Sequence, residues 1–199
     1  MKIYLVRHGE TDWNREERIQ GQADLPLNNQ GMEQAQILAK QLADVPFEAV
    51  FCSTLKRARQ TAQIIKGERP IPMAEDARLM EISFGRYEGR KIEAILNTPE
   101  DPIYHFFQEP DRYTPPETAE SFQDVEKRVK EFFTQVILPL EGQYETILIV
   151  AHGAVNRLLV NPFLGISLHK FWSSAMENCS MFILEIVDGQ LHLEREVQK

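Results

Sequence analysis

Two histidines each stand beside a glycine at the end of a short apolar run. Lys2-Ile3-Tyr4-Leu5-Val6 leads into Arg7-His8-Gly9-Glu10-Thr11, and Thr146 to Ala151 leads into His152-Gly153. Runs of this length, rich in branched residues, read as buried strands. In an open α/β sheet the carboxyl ends of strands border the crevice where ligands bind. A third run, Ala49 to Cys52, precedes a predicted helix whose first turn carries Arg57 and Arg59. The helix dipole disfavours cations there, which points to a bound anion. Two arginines, Arg7 and Arg57, and two imidazoles around one crevice suit a compact multi-oxygen anion, because the guanidinium fork matches phosphate. The expected ligand is therefore a phosphoryl group. Asn14, Gln20 and the amides of Gly9, Gly21 and Gly153 can add donors to its oxygens, and Gly9 is read as letting the ligand approach the backbone.

There is no serine elbow and no suitably placed cysteine, which leaves His8 as the best-placed nucleophile. Neighbouring positive charge disfavours imidazolium, so a His8 ring between arginines stays neutral and can attack phosphorus to form a phosphohistidine. The leaving alkoxide then needs a proton. Glu81, after the Leu79 to Ile82 stretch and before Gly85, is the expected donor, with Glu10 and Glu88 as alternatives. The same carboxylate can then activate the water that hydrolyses the phosphoenzyme. Neither a P-loop, a G-x-G-x-x-G, an H-E-x-x-H nor a cysteine pair at zinc spacing is present, and His105, His169 and His192 are scattered. No metal and no cofactor is expected.

The elements that must position these residues follow from periodicity. Met32, Ala35, Leu38, Ala39 and Leu42 give a helix from about Gln30 to Ala43. Leu55, Ala58, Ala62 and Ile65 give a second, stopped at Gly67. The region from Pro70 to Arg90 has short extended pieces around Leu79 to Ile82. Residues from about 82 to 120, rich in proline and aromatics, read as a cap inserted over the pocket, because a linker does not carry so many rings that need burying. Phe122 to Ile137 is the clearest amphipathic helix, ended by Pro139. Another helix runs from Ala154 to about Val160. Met181 to Val187 and Leu191 to Val197, joined through Asp188-Gly189, form a hairpin. The fold class is therefore α/β: a doubly wound, mostly parallel sheet with helices on both faces, closed at one edge by the hairpin.

With 199 residues, 43% of them hydrophobic, the chain fits one core, hence a single domain over 1–199. The net charge of -8 argues against nucleic acid or an anionic membrane surface as partner. The partner expected is a small phosphorylated substrate, with a homodimer left open. Apolar runs are only strand-length and no signal-peptide core is visible, so a cytoplasmic location is expected. Cys52 and Cys179 are read as core thiols.

Four blocks occur in order: Arg7-His8-Gly9-Glu10-Thr11 with Asn14; Ser53-x-Leu55-x-Arg57-Ala58-x-Gln60-Thr61-Ala62; Glu81-Ile82-x-Phe84-Gly85-x-x-Glu88-Gly89; and His152-Gly153. Together they resemble the histidine phosphatase superfamily, the phosphoglycerate-mutase-like fold, over nearly the whole chain. The resemblance implies that His8 is the phosphohistidine nucleophile and Glu81 the proton donor and acceptor. It likewise implies that Arg7, Arg57 and His152 form the phosphate-binding core, supported by Asn14. Mutases of this type carry a longer insertion and an adjacent Arg-Arg pair, which this chain lacks, so a phosphomonoester hydrolase is expected. The alternatives are a 2,3-bisphosphoglycerate-dependent phosphoglycerate mutase and a catalytically silent phospho-ligand-binding module.

Overall fold

The computed structural model describes residues 1–197. Its sheet has six strands in the order β3-β2-β4-β1-β5-β6. Strands β1 (Lys2–Arg7), β2 (Ala49–Cys52), β3 (Met73–Glu75) and β4 (Thr146–Ala151) run parallel, while β5 (Met181–Val187) and β6 (Gln190–Val197) are antiparallel and close one edge. The central pair is in register from Lys2 opposite Thr146 to Arg7 opposite Ala151, so both strands end at one level and release His8 and His152 side by side.

Period-two alternation divides the core into two layers. Ile3 and Leu5 of β1 and Ile147, Ile149 and Ala151 of β4 face one layer; Val6, Leu148 and Val150 face the other. The second layer is covered by α2 (Asn29–Gln41) and α3 (Lys56–Lys66) through Ala35, Leu38, Ala58, Ala62 and Ile65. On the first layer pack α6 (Phe122–Phe132) and α7 (Gly153–Val160), through Phe122, Val125, Val129, Phe132, Val155 and Val160. The fold class is as read from the sequence. Among the described residues no helix is long and apolar enough to cross a membrane. Cys52 and Cys179 are buried, and burial pushes the Cys52 thiol up to about 12.

Local differences have local causes. Thr11 caps a one-turn helix, α1 (Asp12–Arg15), inside the stretch read as loop, and Asn14 closes the capping box. Strand β3 was not anticipated: three residues at a sheet edge, only partly buried, carry no alternation to detect. Conversely, the extended pieces expected around Leu79 to Ile82 are a 3-10 turn, Ala77–Leu79, followed by backbone in neither helix nor strand. The long helix starts at a capping box of Ser121 and Asp124, but is α-helical only to Phe132. It continues as a π turn over Phe133–Ile137 and a 3-10 turn around Pro139. Between residues 84 and 120 lie the short helices α4 (Ile92–Leu96) and α5 (Tyr104–Gln108).

Gly9 has a different role from the one its neighbours suggest. A Cβ there would lie 2.5 Å from the Gly31 carbonyl oxygen, and one on Gly31 would lie 2.0 Å from that of Glu10. The missing side chains let the loop after β1 rest directly on α2. Gly31→Ala is expected to destabilise the protein by about 2–4 kcal/mol, since backbone cannot swing aside as a side chain can. Urea unfolding monitored by circular dichroism checks this; a loss within experimental error of zero would mean that the two backbones are not in fixed contact.

Candidate active site

The pocket over the carboxyl ends of β1 and β4 has a volume of about 220 Å³ and is lined by Arg7, His8, Asn14, Gln20, Gly21, Arg57, Glu81 and Gly153. His152 is fully buried behind it, with its ring centroid 5.1 Å from that of His8. One crevice therefore gathers Arg7, His8, Asn14, Gln20, Gly21, Arg57, Glu81 and Gly153, with His152 beside it. The elements explain why. His8 and His152 end paired strands, Arg57 is the second residue of α3, and Gln20 and Gly21 belong to the loop that Arg57 holds.

Arg57 is 1% exposed. Its Nη1 donates to the Ala23 carbonyl at 2.8 Å, its Nη2 to that of Gly21 at 2.6 Å, and its Nε to His8 Nε2 at 3.3 Å. Burial lowers its pKa to about 10, still a cation at neutral pH. The His8 Nδ1 lies 2.7 Å from the Gly9 carbonyl oxygen, which can only accept, so Nδ1 carries the proton and Nε2 keeps its lone pair. Burial, then the charges of Arg57 and Arg7, hold the His8 pKa well below its ordinary value. His152 is lowered likewise, by burial first and then by Arg57 and His8. Both rings are neutral.

The Glu81 carboxylate faces this cluster from the other side, at the N-terminus of α7. It accepts from the Ala154 N–H at 3.1 Å, the Val155 N–H at 3.3 Å and its neighbour Ile82 at 3.0 Å. Glu10 and Glu88 do other work. Glu10 accepts from the Asn28 side chain at 2.8 Å beside α2, and Glu88 accepts from the backbone N–H groups of Gln22 and Phe84 at 2.8 and 3.1 Å. The Gly9 amide expected as a phosphate donor is already bonded to Thr61 Oγ1 at 3.0 Å. Arg59, read with Arg57 as a sign of the anion, pairs instead with Glu75 at 3.3 Å.

One cation escaped the sequence reading. Arg157, on the second turn of α7, is 8% exposed and lines the same pocket. It donates to the Gly153 and Ser174 carbonyls at 3.3 and 3.1 Å and sits 5.0 Å from the Trp172 ring centroid. Burial, then the charge of Arg7, lowers its pKa to about 10. Its only sequence signal was a basic residue four positions after Gly153, on the helix face that returns to the site. Three guanidiniums thus stand against one carboxylate, a net positive site that a phosphate dianion neutralises.

A family model described as the histidine phosphatase superfamily, branch 1, matches residues 3–198. The chain belongs to the histidine phosphatase superfamily. Among solved structures it is similar to Bacillus stearothermophilus YhfR, with 38% identity and a TM-score of 0.89 over 99% of this chain and 98% of that one. It is 33% identical to the adenosylcobalamin/alpha-ribazole phosphatase of Escherichia coli, over 86% of this chain and 83% of that protein. Identity is also 33% with a Serratia proteamaculans protein named "Probable phosphoglycerate mutase GpmB", over 91% of this chain and 83% of that one. Overall identity alone thus does not divide hydrolases from mutases within the superfamily.

The two depressed imidazoles have a consequence for stability. As pH falls below the ordinary value of 6.5, the unfolded chain binds protons that native His8 and His152 refuse. Their contribution is complete above that value and declines below it, by up to about 1.4 kcal/mol per pH unit for each ring. Urea unfolding without phosphate from pH 7 to pH 5 should show this decline, and a shallower one in His152→Asn. Equal slopes in the two proteins would mean that His152 protonates freely in the native state.

Proposed function

We propose that the protein hydrolyses phosphomonoesters of small metabolites through a phosphohistidine on His8. The observation that carries this reading is the His8 ring itself, neutral, with Nδ1–H on the Gly9 carbonyl and the Nε2 lone pair turned toward Arg57 in the pocket. In the reaction Nε2 forms a bond to phosphorus while the bond to the leaving oxygen breaks. Arg7, Arg57 and the single N–H of neutral His152 take the charge on the phosphoryl oxygens, with Asn14, Gln20 and the backbone at Gly21 and Gly153 around them. Glu81 acts as the general acid and gives a proton to the leaving alkoxide. As a carboxylate it then takes a proton from water, whose oxygen attacks phosphorus and releases phosphate from His8. The positive charge the chemistry requires is supplied by side chains.

Residues 82–120 act as a cap that shapes the leaving-group side. Phe84, Phe106 and Phe107, with Ile92, Ile19 and Trp172, line the pocket. Tyr87, Tyr104 and Tyr113 do not; Tyr113 packs with Phe106 and Phe122 in the cap's own core. The cap's cations are tied off: Arg90 by Asp101, Arg112 by Glu109 at 2.9 Å, and Lys91 by the Glu16 carbonyl at 2.7 Å, while Arg86 stands over Tyr87. None of these four lines the pocket, so the cap offers no paired cations to grip a small substrate's carboxylate. The lining suits an apolar or ring-bearing leaving group, and hydrolysis is favoured over mutase transfer.

Rapid quench with labelled substrate should trap acid-labile, base-stable phosphate on the protein, and His8→Ala should lose turnover by about 10³-fold or more. Retention of near wild-type turnover in His8→Ala overturns the nucleophile. For hydrolase against mutase, 3-phosphoglycerate is supplied with catalytic 2,3-bisphosphoglycerate while 2-phosphoglycerate and free phosphate are followed together. Phosphate release from monoesters should exceed isomerisation; isomerisation much faster than any phosphate release makes the protein a mutase.

A further inference from the structure

The backbone that carries Glu81 has no ladder or helix to hold it: residues 80–84 are in neither. Side chains hold it instead. Arg128, on α6, donates through Nη1 to the Arg78 carbonyl at 2.7 Å and through Nη2 to the Glu81 carbonyl at 3.1 Å. The same guanidinium pairs with Glu120, Nε to Oε1 at 2.9 Å and Nη2 to Oε2 at 3.0 Å. Glu120 in turn grips the next residues: its Oε2 accepts from the Ser83 N–H at 2.9 Å, and its own N–H donates to the Ser83 carbonyl at 2.9 Å. Gln22, next to the Gly21 of the phosphate pocket, donates to both the Glu81 carbonyl at 3.1 Å and Glu120 Oε2 at 3.3 Å. Arg128 and Glu120 are largely buried, with side chains 16% and 24% exposed. A two-pronged guanidinium on a two-pronged carboxylate has one orientation, so the pair transmits a fixed geometry.

We propose that the Arg128–Glu120 pair is the positioning device for the proton donor, holding the Glu81 segment at Arg78, Glu81 and Ser83 against α6. Glu120 lies at the end of the cap and Ser83 at its start, so the ion pair also ties the two ends of the cap together beside the acid. Neither residue lines the pocket, and Arg7, Arg57 and His8 are held by other partners. The pair therefore acts chiefly on proton delivery; toward phosphoryl binding it contributes only the charge of Arg128 near His152. The inference rests on the reading of Glu81 as general acid.

The test compares an alkyl phosphate such as glycerol 2-phosphate, whose alkoxide needs a proton to leave, with p-nitrophenyl phosphate, whose phenolate does not. Glu81→Gln is the reference and should slow the alkyl ester selectively. Glu120→Gln, which keeps the shape of the side chain, and Arg128→Met should each lower kcat for the alkyl ester about tenfold, with p-nitrophenyl phosphate changed by no more than about twofold. Inhibition by inorganic phosphate should stay within about twofold of wild type, and Glu120→Gln added to Glu81→Gln should cost nothing further, as for residues that act as one unit. Equal losses on both esters, weakened phosphate inhibition, or full additivity with Glu81→Gln would show a merely structural or electrostatic role and overturn the proposal. If Arg128→Met does not fold, Glu120→Gln decides alone. A Glu81→Gln variant without leaving-group selectivity overturns the acid assignment itself, whereas selectivity there and none in the pair overturns only the positioning role.

Discussion

Taking a guanidinium out of water costs several kcal/mol unless its donors find acceptors, and Arg57 meets that demand with two loop carbonyls and one imidazole nitrogen. Each of these partners is part of the site. The carbonyls of Gly21 and Ala23 fix the loop that brings Gln20 and Gly21 to the pocket. The bond to His8 Nε2 keeps that nitrogen an acceptor, and the charge of Arg57 adds to the burial that disfavours imidazolium. In turn the Thr61 hydroxyl, which donates to the Arg57 carbonyl at 2.7 Å, accepts the Gly9 N–H. A single buried cation thereby helps to position the proposed nucleophile, adds to the burial that keeps its ring neutral, and orders the loop opposite it.

The sheet supplies what the arginine cannot. Because β1 and β4 are adjacent, parallel and in register to their last residues, His8 and His152 leave the sheet together. The His8 N–H bonds back to the Ala151 carbonyl at 3.1 Å, which extends the ladder one step into the site. Beyond His152 the chain enters α7, whose first free N–H groups receive the Glu81 carboxylate. The two strand ends and one helix start thus meet within one turn of backbone, where the helix N-terminus favours negative charge.

The aromatic residues of the cap have two tasks, and Phe106 links them. It stacks on Phe122 at 5.1 Å with the rings 11° apart, meets Tyr113 and Trp172 edge-on, and is 2% exposed while still lining the pocket. This wall of the pocket is therefore one face of a packed core, rigid in the way that cores are. Arg157 completes that wall under Trp172, whose indole N–H is anchored on the Phe106 carbonyl at 2.8 Å.

Much of this was legible in the chain itself. Strand alternation, helix periodicity, Gly67 as a helix stop and the His-Gly pairs at strand ends are local signals, each set by neighbours within a few positions, and they were enough to give the α/β class and the candidates Arg7, His8, Asn14, Gln20, Gly21, Arg57, Glu81, His152 and Gly153. What stayed hidden depends on contacts distant in sequence. The edge strand β3 exists because β2 offers it a free ladder, and Gly9 and Gly31 meet across 22 positions with no periodicity to mark the contact. Arg157 reads as an ordinary basic helix residue until Arg7 and Trp172 are placed beside it, and that Glu81 lines the pocket while Glu88 does not is visible only in the fold. Sequence by itself determined which chemistry the residues can perform, because side-chain type and strand or helix period are local properties. Only the tertiary structure decided which carboxylate lines the pocket, Glu81 and neither Glu10 nor Glu88, because that depends on where folding carries segments distant in sequence.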